Sequence, residues 1–386
     1  MTPSRTPTTA PRLDRREFLQ GSIRGSIAAA AAAACPAGAF AGGSDSIKVG
    51  LVGCGGRGVG AAAQAAAADP AVQIVALGDM FRDQVGRAAE TLSATHGRQF
   101  APACLLHGPD AGELVIQADV DAVILATPPC FRPSEIAAAV RAGRHVYAEP
   151  PIGVDEQGIL TAAELVATGL RLGLSLAGGL HSRHHEPARS AVAGVAAGGI
   201  GRPLRGIAIH RLGLPWRRAD TDDLLRNWIH HEQVSGGPLL WHHLHALDRV
   251  HWALGEPAPL AAVALAADAV LPQPAGGRQE PTVRITCAGG VTLDVGVVRR
   301  AGIDDGIVEA VVGEAGTLDL RKQAGVGGHA ASMASFIRSL RGGPRTDLAA
   351  ACRSTRLASL VRAAAAAGGE TIPWNRDPWT GDGVAA

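Results

Sequence analysis

The sequence predicts an α/β protein of two domains, in which a doubly wound parallel sheet is followed by an α+β domain. Its 386 residues are enough for two cores of ordinary size. Residues 46–178 alternate short, apolar, β-branched runs with helical stretches, which is typical of βαβ units. Residues 179–375 instead pair alternating apolar and polar runs across Gly-containing turns, which is typical of hairpins.

Composition gives no case for a nucleic acid or an acidic macromolecule as a partner. The 36 Lys and Arg residues are balanced by 35 Asp and Glu residues, and no long run of one sign occurs. The charged fraction of 18% fits a compact protein better than a disordered one. The 6 cysteines lack CxxC spacing, so they predict neither a zinc motif nor a recognisable disulfide framework.

Residues 1–41 resemble a twin-arginine (Tat) export signal. The segment Arg15-Arg-Glu-Phe-Leu19 precedes an apolar alanine run, and Ala39-Phe-Ala41 offers a small-residue cleavage site. The resemblance implies that the Tat machinery is a partner and that the mature protein is periplasmic or secreted. The apolar run is too short to span a bilayer, so we expect no stable membrane insertion after processing. A cut before Cys35, which would make a lipoprotein, stays open as an alternative.

The first element of the mature chain is a predicted strand, Ile47–Val52, that leads into a glycine-rich turn and the helical stretch Val59–Ala68. In this order one glycine makes the tight turn, a second lets the backbone approach a pyrophosphate, and a third lets helix and strand pack closely. The helix N-terminus then offers free N–H groups to the phosphates. The predicted cofactor contacts in the turn are Gly53, Gly55, Gly56, Arg57 and Gly58. A turn that only closes a βαβ unit is the alternative.

The second predicted strand, Val72–Leu77, leads to Asp79, which follows Gly53 by 26 residues. An acid at this place holds the ribose hydroxyls of a dinucleotide. Strand, glycines, helix, strand and acid together predict a Rossmann domain that binds NAD or NADP. Asp79 favours NAD because a carboxylate repels a 2′-phosphate, whereas Arg82 leaves NADP open.

The alternation continues to the end of the predicted nucleotide domain. Two further strand ends carry Thr127-Pro128 and Glu149, and ligands of doubly wound sheets bind at such ends. We therefore add Thr127, Pro128 and Glu149 to the cofactor site. The predicted helices are 84–94, 133–142 and 155–168, and the predicted strands are 120–126, 143–148 and 170–177.

The second domain is predicted from alternating runs and one histidine-rich helix. Its predicted strands are 204–212, 282–287, 291–297, 307–312 and 317–320, and its closing helices are 330–341 and 348–367. The segment Gly236–Leu254 has helical apolar spacing. On such a helix Trp241, His245, Asp248 and Trp252 share one face.

Several motifs together resemble the Gfo/Idh/MocA oxidoreductase family, which includes glucose–fructose oxidoreductase and inositol dehydrogenase. They are GCGGRG, VDAVILATPP, AGRHVYAEPP and GGPLLWHHLHALD, and they follow in order along the chain. The match is closest to the Tat-exported branch. The resemblance implies NAD or NADP chemistry on a sugar-like or cyclitol-like substrate, a second domain with an open, mostly antiparallel sheet, and a homo-oligomer. It places the nucleotide domain at 46–178, the substrate and oligomerisation domain at 179–375, and a tail at 376–386.

The resemblance also implies a catalytic pair. The family histidine beside the nicotinamide matches His245, and the acid that follows it matches Asp248, which we expect to orient the imidazole. The family lysine of Glu-Lys-Pro is replaced here by Pro150, and Trp241 stands where a first acid is usual. A histidine on a Trp-flanked helical face is more often a packed core residue, and that interpretation stays open.

Further polar and aromatic residues resemble those of a sugar site. The predicted substrate contacts are Arg183, His184, Trp228 and His243, with Trp216, Arg226, Asn227 and Arg132 as weaker candidates. Histidines are dense in this half of the chain, but HExxH and other zinc spacings are absent, so we expect no metal.

These observations predict an NAD(P)-dependent oxidoreductase for a sugar or cyclitol. Outside the cytoplasm no soluble nicotinamide pool exists, which favours a tightly held cofactor and a redox-neutral cycle through a keto-sugar, such as glycoside cleavage or epimerisation. Two alternatives remain. One is a degenerate sugar- or cofactor-binding protein without turnover, and the other is a metal-dependent lyase or hydrolase that uses the histidines.

Overall fold

The computed structural model describes residues 46–97, 99–212, 221, 223–266, 281–299, 306–323, 327–342 and 348–374. The predicted export signal with Cys35, the candidate Trp216 and the tail 376–386 lie outside these residues. Among the described residues, no helix combines the length and apolar character that crossing a membrane requires.

The first domain contains six parallel strands, which confirms the predicted doubly wound sheet. The strands lie in the order β3-β2-β1-β4-β5-β6. The sheet order reverses beside β1, and the carboxyl ends of β1 and β4 form the crevice where such folds bind ligands. The strands are β1 (Ile47–Val52), β2 (Val72–Asp79), β3 (Phe100–His107), β4 (Ala122–Leu125), β5 (His145–Ala148) and β6 (Leu176–Gly178).

Helices cover both faces of this sheet. They are α1 (Gly56–Ala68), α2 (Arg82–His96), α3 (Ala111–Gln117), α4 (Arg132–Arg141) and α5 (Glu156–Arg171). Asp155 caps α5 by accepting a hydrogen bond from the N–H of Gly158 at 2.8 Å. Because α5 continues to Arg171, the strand expected at 170–177 is reduced to β6. The edge strand β3 and helix α3 escaped sequence prediction, since β3 contains a proline and half-exposed side chains.

The second sheet has seven strands in the order β12-β11-β7-β10-β9-β8-β13. Among the described strands only the β7–β10 pair is parallel, so the sheet is mostly antiparallel as expected. The strands are β7 (Pro203–Leu212), β8 (Pro259–Leu265), β9 (Thr282–Cys287), β10 (Thr292–Arg299), β11 (Gly306–Gly313), β12 (Thr317–Asp319) and β13 (Ile372–Pro373).

The helix predicted over Gly236–Leu254 is wrong as a single helix. The segment contains α8 (Pro238–Trp241) and α9 (Leu244–Ala253), preceded by the short helix α7 (Glu232–Ser235). The break falls at His242 and His243, so Trp241 does not continue the face of α9 that carries His245. The remaining helices are α6 (Glu186–Ala196), α10 (Gly328–Leu340) and α11 (Leu348–Ala366).

The two domains interlock through α10, which packs on the first domain. Its Phe336 and Met333 are fully buried in the core that contains α1 and the first-domain strands. The ring of Phe336 lies 5.5 Å from that of Tyr147, and the Tyr147 hydroxyl lies 3.2 Å from the hydroxyl of Ser332. The second domain therefore completes the core of the first.

Candidate active site

The glycine-rich turn after β1 has the geometry that its sequence predicts. Gly53 has a φ of +93°, a conformation that side chains disfavour, and its N–H donates to the carbonyl of Gly78 at 2.8 Å. A Cβ on Gly58 would lie 1.9 Å from the Gly53 carbonyl oxygen. Both glycines are therefore required for the turn from β1 into α1.

The next two glycines leave open the space that a pyrophosphate needs. A Cβ on Gly55 or Gly56 would meet nothing within 4 Å. Helix α1 begins at Gly56, so its unpaired N–H groups and positive dipole end face this space. The residues present thus fit the phosphates of a dinucleotide.

The acid at the end of β2 is held in place by backbone. Oδ2 of Asp79 accepts the N–H of Cys54 at 2.8 Å, and Oδ1 accepts the N–H of Phe81 at 2.9 Å. Each carboxylate oxygen has a second lone pair, which leaves acceptors for ribose hydroxyls. Burial raises the pKa of Asp79, while the two N–H donors oppose that rise.

At the carboxyl end of β4, the Thr127 hydroxyl donates to Oε2 of Glu135 at 2.7 Å. Burial raises the pKa of Glu135 to about 7. Arg132 is buried, and its guanidinium donates to the carbonyls of Thr127, Glu149 and Pro151. The idea that Arg132 contacts substrate is therefore wrong, because this side chain fastens the loops that frame the cofactor crevice.

Glu149 and Arg57, both predicted cofactor residues, form an ion pair. Nε of Arg57 lies 3.0 Å from Oε1 of Glu149, which is only 5% exposed. Nη2 of Arg57 also donates to the side chain of Gln64 at 2.7 Å. Burial raises the pKa of Glu149, and the Arg57 charge opposes that effect. The pair ties the glycine-rich turn to the end of β5, next to Pro150.

Three imidazoles from three elements meet beside this pair. His181 begins a 3-10 turn after β6, His245 lies in the first turn of α9, and His329 lies in the first turn of α10. The ring of His181 is 4.7 Å from that of His245 and 4.1 Å from that of His329. We call His181, His245 and His329 the imidazole cluster.

Burial and mutual repulsion keep the imidazole cluster neutral. Burial lowers the pKa of His181 to about 2, that of His245 to about 3 and that of His329 to about 4, with nearby positive charges adding to the effect. Arg57 is one of those charges for each of the three. The three imidazoles are therefore unprotonated at physiological pH, and each can accept a hydrogen bond through one ring nitrogen.

His245 is half-buried, and neither of its ring nitrogens bonds a described residue. The expectation that Asp248 orients His245 is wrong. The carboxylate of Asp248 accepts from Arg183 Nη2 at 2.8 Å and from the Ser354 hydroxyl at 2.6 Å, and only 1% of the residue is exposed. Asp248 is a structural residue that anchors α9, and it leaves the nitrogens of His245 available.

Three more histidines, His210, His242 and His243, pack at the junction of α8, α9 and β7. Nε2 of His243 lies 2.8 Å from the carbonyl of Ala208, and its Nδ1 lies 3.1 Å from Nδ1 of His210. A carbonyl only accepts, so Nε2 of His243 carries the proton and the neutral ring accepts from His210. Burial lowers the pKa of both, to about 4 for His243 and about 2 for His210. The neutral ring of His210 thus keeps Nε2 as an unprotonated acceptor.

The predicted substrate contacts divide into two groups. His243 is fully buried, so the prediction that it contacts substrate is wrong. Arg183 is half-buried; it bonds Asp248 and Glu256 through Nη2 and stacks against Trp252, and its contact with substrate stays a prediction. Half-buried His184 and Trp228 remain candidates, and the ring of Trp228 lies edge-to-face with that of Trp241 at 6.1 Å.

Two weaker candidates also lie elsewhere. Arg226 contacts the first domain beside Asp79, and Asn227 is 2% exposed with its amide bonded to the Thr221 carbonyl. The predicted site residues do not include His181, His210 and His329. The sequence showed them as part of a dense set of histidines, but their grouping depends on how the fold brings distant segments together.

The described residues contain no group of three or more His, Cys, Asp or Glu arranged to hold a metal ion.

Residues 47–169 match the family model of the Gfo/Idh/MocA oxidoreductases, which describes an NAD-binding Rossmann fold. The nucleotide-binding domain belongs to the Gfo/Idh/MocA family. Its NAD-binding fold agrees with the open pyrophosphate space and the fixed Asp79 carboxylate described above.

Two curated proteins are similar to parts of this chain. A 1,5-anhydro-D-fructose reductase of Ensifer adhaerens is 29% identical over 49% of this chain, a match that spans 51% of the relative. A glycosyl hydrolase family 109 protein of Solibacter usitatus is 34% identical over 28% of this chain and 24% of the relative. The chain thus spans about half or less of the length of these two relatives.

Solved structures of dehydrogenases share the fold of both domains. A scyllo-inositol dehydrogenase from Lactobacillus casei, crystallised with NAD(H) and scyllo-inositol, superposes with a TM-score of 0.65 at 18% identity. The superposition covers 85% of this chain and 99% of that one. The likeness therefore includes the second domain and its mostly antiparallel sheet.

Proposed function

We propose that this protein is an NAD-dependent oxidoreductase that acts on a hydroxyl-bearing carbon of a sugar-like or cyclitol-like substrate. One observation carries the proposal: the imidazole of His245 is neutral and bonds no described residue, and it belongs to the imidazole cluster, which lies beside the Arg57–Glu149 pair at the dinucleotide crevice. A nucleotide site next to an available base is what the oxidation of a carbinol requires.

The cofactor residues act by backbone and charge. The N–H groups at the start of α1 would hold the pyrophosphate, and Asp79 would accept hydrogen bonds from the adenosine ribose. NAD supplies the acceptor, and in its reduced form the donor, of a hydride. The ion pair of Arg57 and Glu149 holds the glycine-rich turn against the carboxyl end of β5.

His245 takes the hydroxyl proton of the substrate during oxidation and returns it during reduction. Its lowered pKa keeps it unprotonated before reaction, which is the state a general base needs. Because Pro150 replaces the family lysine, His245 is the group to which we assign the proton transfer. A positioned base of this kind contributes about 10²- to 10⁴-fold in rate.

Two further features suit a polyhydroxylated substrate. Nε2 of His210 is a fixed acceptor for a hydroxyl proton, because His243 holds the ring in one tautomer. The edge-to-face pair of Trp228 and Trp241 offers aromatic surface, on which the C–H faces of sugars pack. The names of the relatives, an anhydrofructose reductase and a cyclitol dehydrogenase, support the same substrate class.

A redox-neutral cycle with a retained cofactor is the second candidate. In such a cycle a sugar carbon is oxidised, a neighbouring bond is broken or inverted, and the same carbon is reduced again. The glycosyl hydrolase name of one relative favours glycoside cleavage by this route. The twin-arginine motif at Arg15-Arg16 supports export of the folded protein with its cofactor, and the family resemblance supports a homo-oligomer.

The test begins with mature protein from Gly42 onward, exported by the Tat route and purified without added nucleotide. After denaturation, released nucleotide is identified by mass and absorbance. We expect stoichiometric NAD, followed by conversion of glycosides or keto-sugars without added cofactor. Protein that contains no nucleotide but turns over with added NAD would exclude the retained-cofactor cycle. Protein that fails to bind NAD at all would refute the oxidoreductase, and NAD binding without turnover of any polyol would favour a binding protein.

A further inference from the structure

We propose that Arg226, a residue of the second domain, closes the adenosine end of the nucleotide site and slows the release of NAD. The proposal rests on the NAD binding proposed above and adds a cofactor-site residue that lies far from the glycine-rich turn in sequence.

Arg226 makes a two-point ion pair with the first domain. Its Nη2 lies 2.6 Å from Oδ1 of Asp83, and its Nη1 lies 3.1 Å from Oδ2 of the same carboxylate. The guanidinium carbon also lies 4.0 Å from the centroid of the Phe81 ring, within the range of a cation–π contact. Asp83 is held ionised by this partner, since the hydrogen bond from Arg226 lowers the pKa of Asp83.

The contact lies directly beside the residue that binds the ribose. The N–H of Phe81 donates to Oδ1 of Asp79 at 2.9 Å. Phe81 therefore lies next to the carboxylate that accepts the ribose hydroxyls. The adenine base is attached to that ribose. The Phe81 ring with Arg226 stacked on it therefore forms a wall at the adenosine end of the crevice.

The segment that carries Arg226 is fixed by its own hydrogen bonds. Oδ1 of Asp223 accepts the N–H of Leu225 at 2.9 Å and the N–H of Arg226 at 3.0 Å. The amide of Asn227 donates to the carbonyl of Thr221 at 2.9 Å, and Asn227 is 2% exposed. Because the backbone is already ordered, Arg226 loses little conformational entropy when it contacts the first domain.

This arrangement links the release of NAD to the separation of the two domains at the Arg226 contact. For the adenosine to leave past this wall, the Arg226–Asp83 ion pair and the Arg226–Phe81 stack must break together. We expect loss of both contacts to raise the NAD dissociation rate about 10-fold, in keeping with the modest strength of exposed ion pairs and cation–π contacts.

The experiment measures NAD dissociation from the full mature chain by displacement in a stopped-flow instrument. The wild type is measured first, and failure of the wild type to bind NAD would refute the proposed function rather than this proposal. Arg226→Ala is expected to dissociate about 10-fold faster, and Arg226→Lys to fall between the two, because lysine keeps the charge but loses the second hydrogen bond.

Arg87→Ala is the matched control. Arg87 also donates to Oδ2 of Asp83, at 2.7 Å, but it lies on the same helix as Asp83 and bonds no described residue of the second domain. Its removal takes the same kind of partner from the same carboxylate and is expected to leave the NAD dissociation rate unchanged. Equal rates for the wild type and Arg226→Ala, or equal acceleration by Arg87→Ala, would overturn the proposal.

Asp83→Asn and the salt dependence of the wild type cover the case in which Arg226→Ala fails to fold. Asp83→Asn keeps the shape of the side chain but removes its charge, so NAD is expected to dissociate faster. Rising salt is expected to accelerate release from the wild type more than from Asp83→Asn, because it screens the ion pair. A release rate that is unaffected both by Asp83→Asn and by salt would contradict a role for this contact.

Discussion

The two ends of the candidate site are built in different ways. The nucleotide end is made mainly of backbone, from a glycine turn, a helix N-terminus and a carboxylate held by two N–H groups. The substrate end is made of side chains from several elements, among them the imidazole cluster and the pair of His210 and His243. A site made of backbone groups is determined by a short stretch of sequence. A site made of side chains from several elements forms only when the fold brings distant segments together.

The difference also decides how each end responds to change. At the nucleotide end an added Cβ has no space at Gly58 and free space at Gly55. At the substrate end the important property is the protonation state of buried imidazoles, which depends on many neighbours at once. The predictions below test these two modes separately.

The largest effect is expected from Gly58→Val at the nucleotide end. A Cβ there would lie 1.9 Å from the Gly53 carbonyl oxygen, so the turn and the start of α1 must shift. We expect NAD affinity to fall by at least about 100-fold, the scale on which a displacement of about 1 Å acts. Gly60→Ala is the control, because its Cβ would meet only the guanidinium carbon of Arg57, at 4.0 Å. Calorimetric titration with NAD measures both, and equal affinities would contradict the backbone account.

At the substrate end we expect His245→Asn to lower kcat by about 10²- to 10⁴-fold, since the proton acceptor is lost. NAD affinity should stay within a factor of about 2, because His245 lies outside the residues assigned to nucleotide binding. His96→Asn, on the last turn of α2, makes the same replacement away from the site and should keep wild-type kcat. If His245→Asn turns over at the wild-type rate, another group moves the proton.

Asp248→Asn should reduce stability rather than chemistry. Its carboxylate is buried and bonds Arg183 and Ser354, so the substitution leaves Arg183 without its buried partner. We expect the free energy of unfolding to fall by roughly 3 kcal/mol, as for other broken buried pairs. Glu256→Gln removes the more exposed partner of Arg183 and should cost at most about 1 kcal/mol. Urea unfolding measures both, and a drop in kcat of Asp248→Asn without a loss of stability would restore a catalytic role.

The smallest effect per residue concerns acid stability. The pKa values of His181, His210 and His245 lie near 2 to 3 in the folded protein, below the ordinary 6.5 that applies after unfolding. These lowered pKa values leave stability unaffected above about pH 6.5 and reduce it progressively as the pH falls from 6.5 toward 2 to 3, because over that range only the unfolded chain takes up the protons. Glu135, with its raised pKa, acts in the opposite direction.

The contribution of one histidine is isolated by His181→Asn. The slope of the unfolding free energy against pH, measured between pH 6 and 4, should be smaller in this variant than in the wild type. The expected difference is about 1.4 kcal/mol per pH unit for the one proton that is no longer taken up. An unchanged slope would mean that His181 titrates normally in the folded protein.

Much of the fold was predictable because local patterns determine it. The period-2 runs of β7, β9 and β11 and the apolar spacing of α10 and α11 survive in the structure almost residue for residue. The prediction of a single helix over Gly236–Leu254 is wrong for a local reason as well. The apolar spacing is helical on both sides of His242 and His243, but the helix is interrupted at these two residues. The spacing of apolar residues does not reveal such an interruption.

The candidate site was predictable in unequal parts. The turn from Gly53 to Gly58 and the acid Asp79 lie where their motif puts them, because their geometry is local. Arg183, Asp248 and His243 carry the right chemistry for a sugar site, yet tertiary contacts bury them or pair them with one another. His329 was out of reach, since its place beside His181 depends on how α10 returns to the first domain.

The packing of α10 on the first domain has a consequence for the folding of the chain during synthesis and for its truncation. Tyr147, in the fifth strand, finds its hydroxyl and ring partners in Ser332 and Phe336, almost two hundred residues further on. The nucleotide-binding segment therefore cannot finish its core until nearly the whole polypeptide has left the ribosome. A fragment that ends near residue 178 would expose the apolar surface that Met333 and Phe336 cover, and we expect it to aggregate rather than fold. The segment that the family model matches, residues 47–169, is therefore shorter than the segment that must be complete for its core to close.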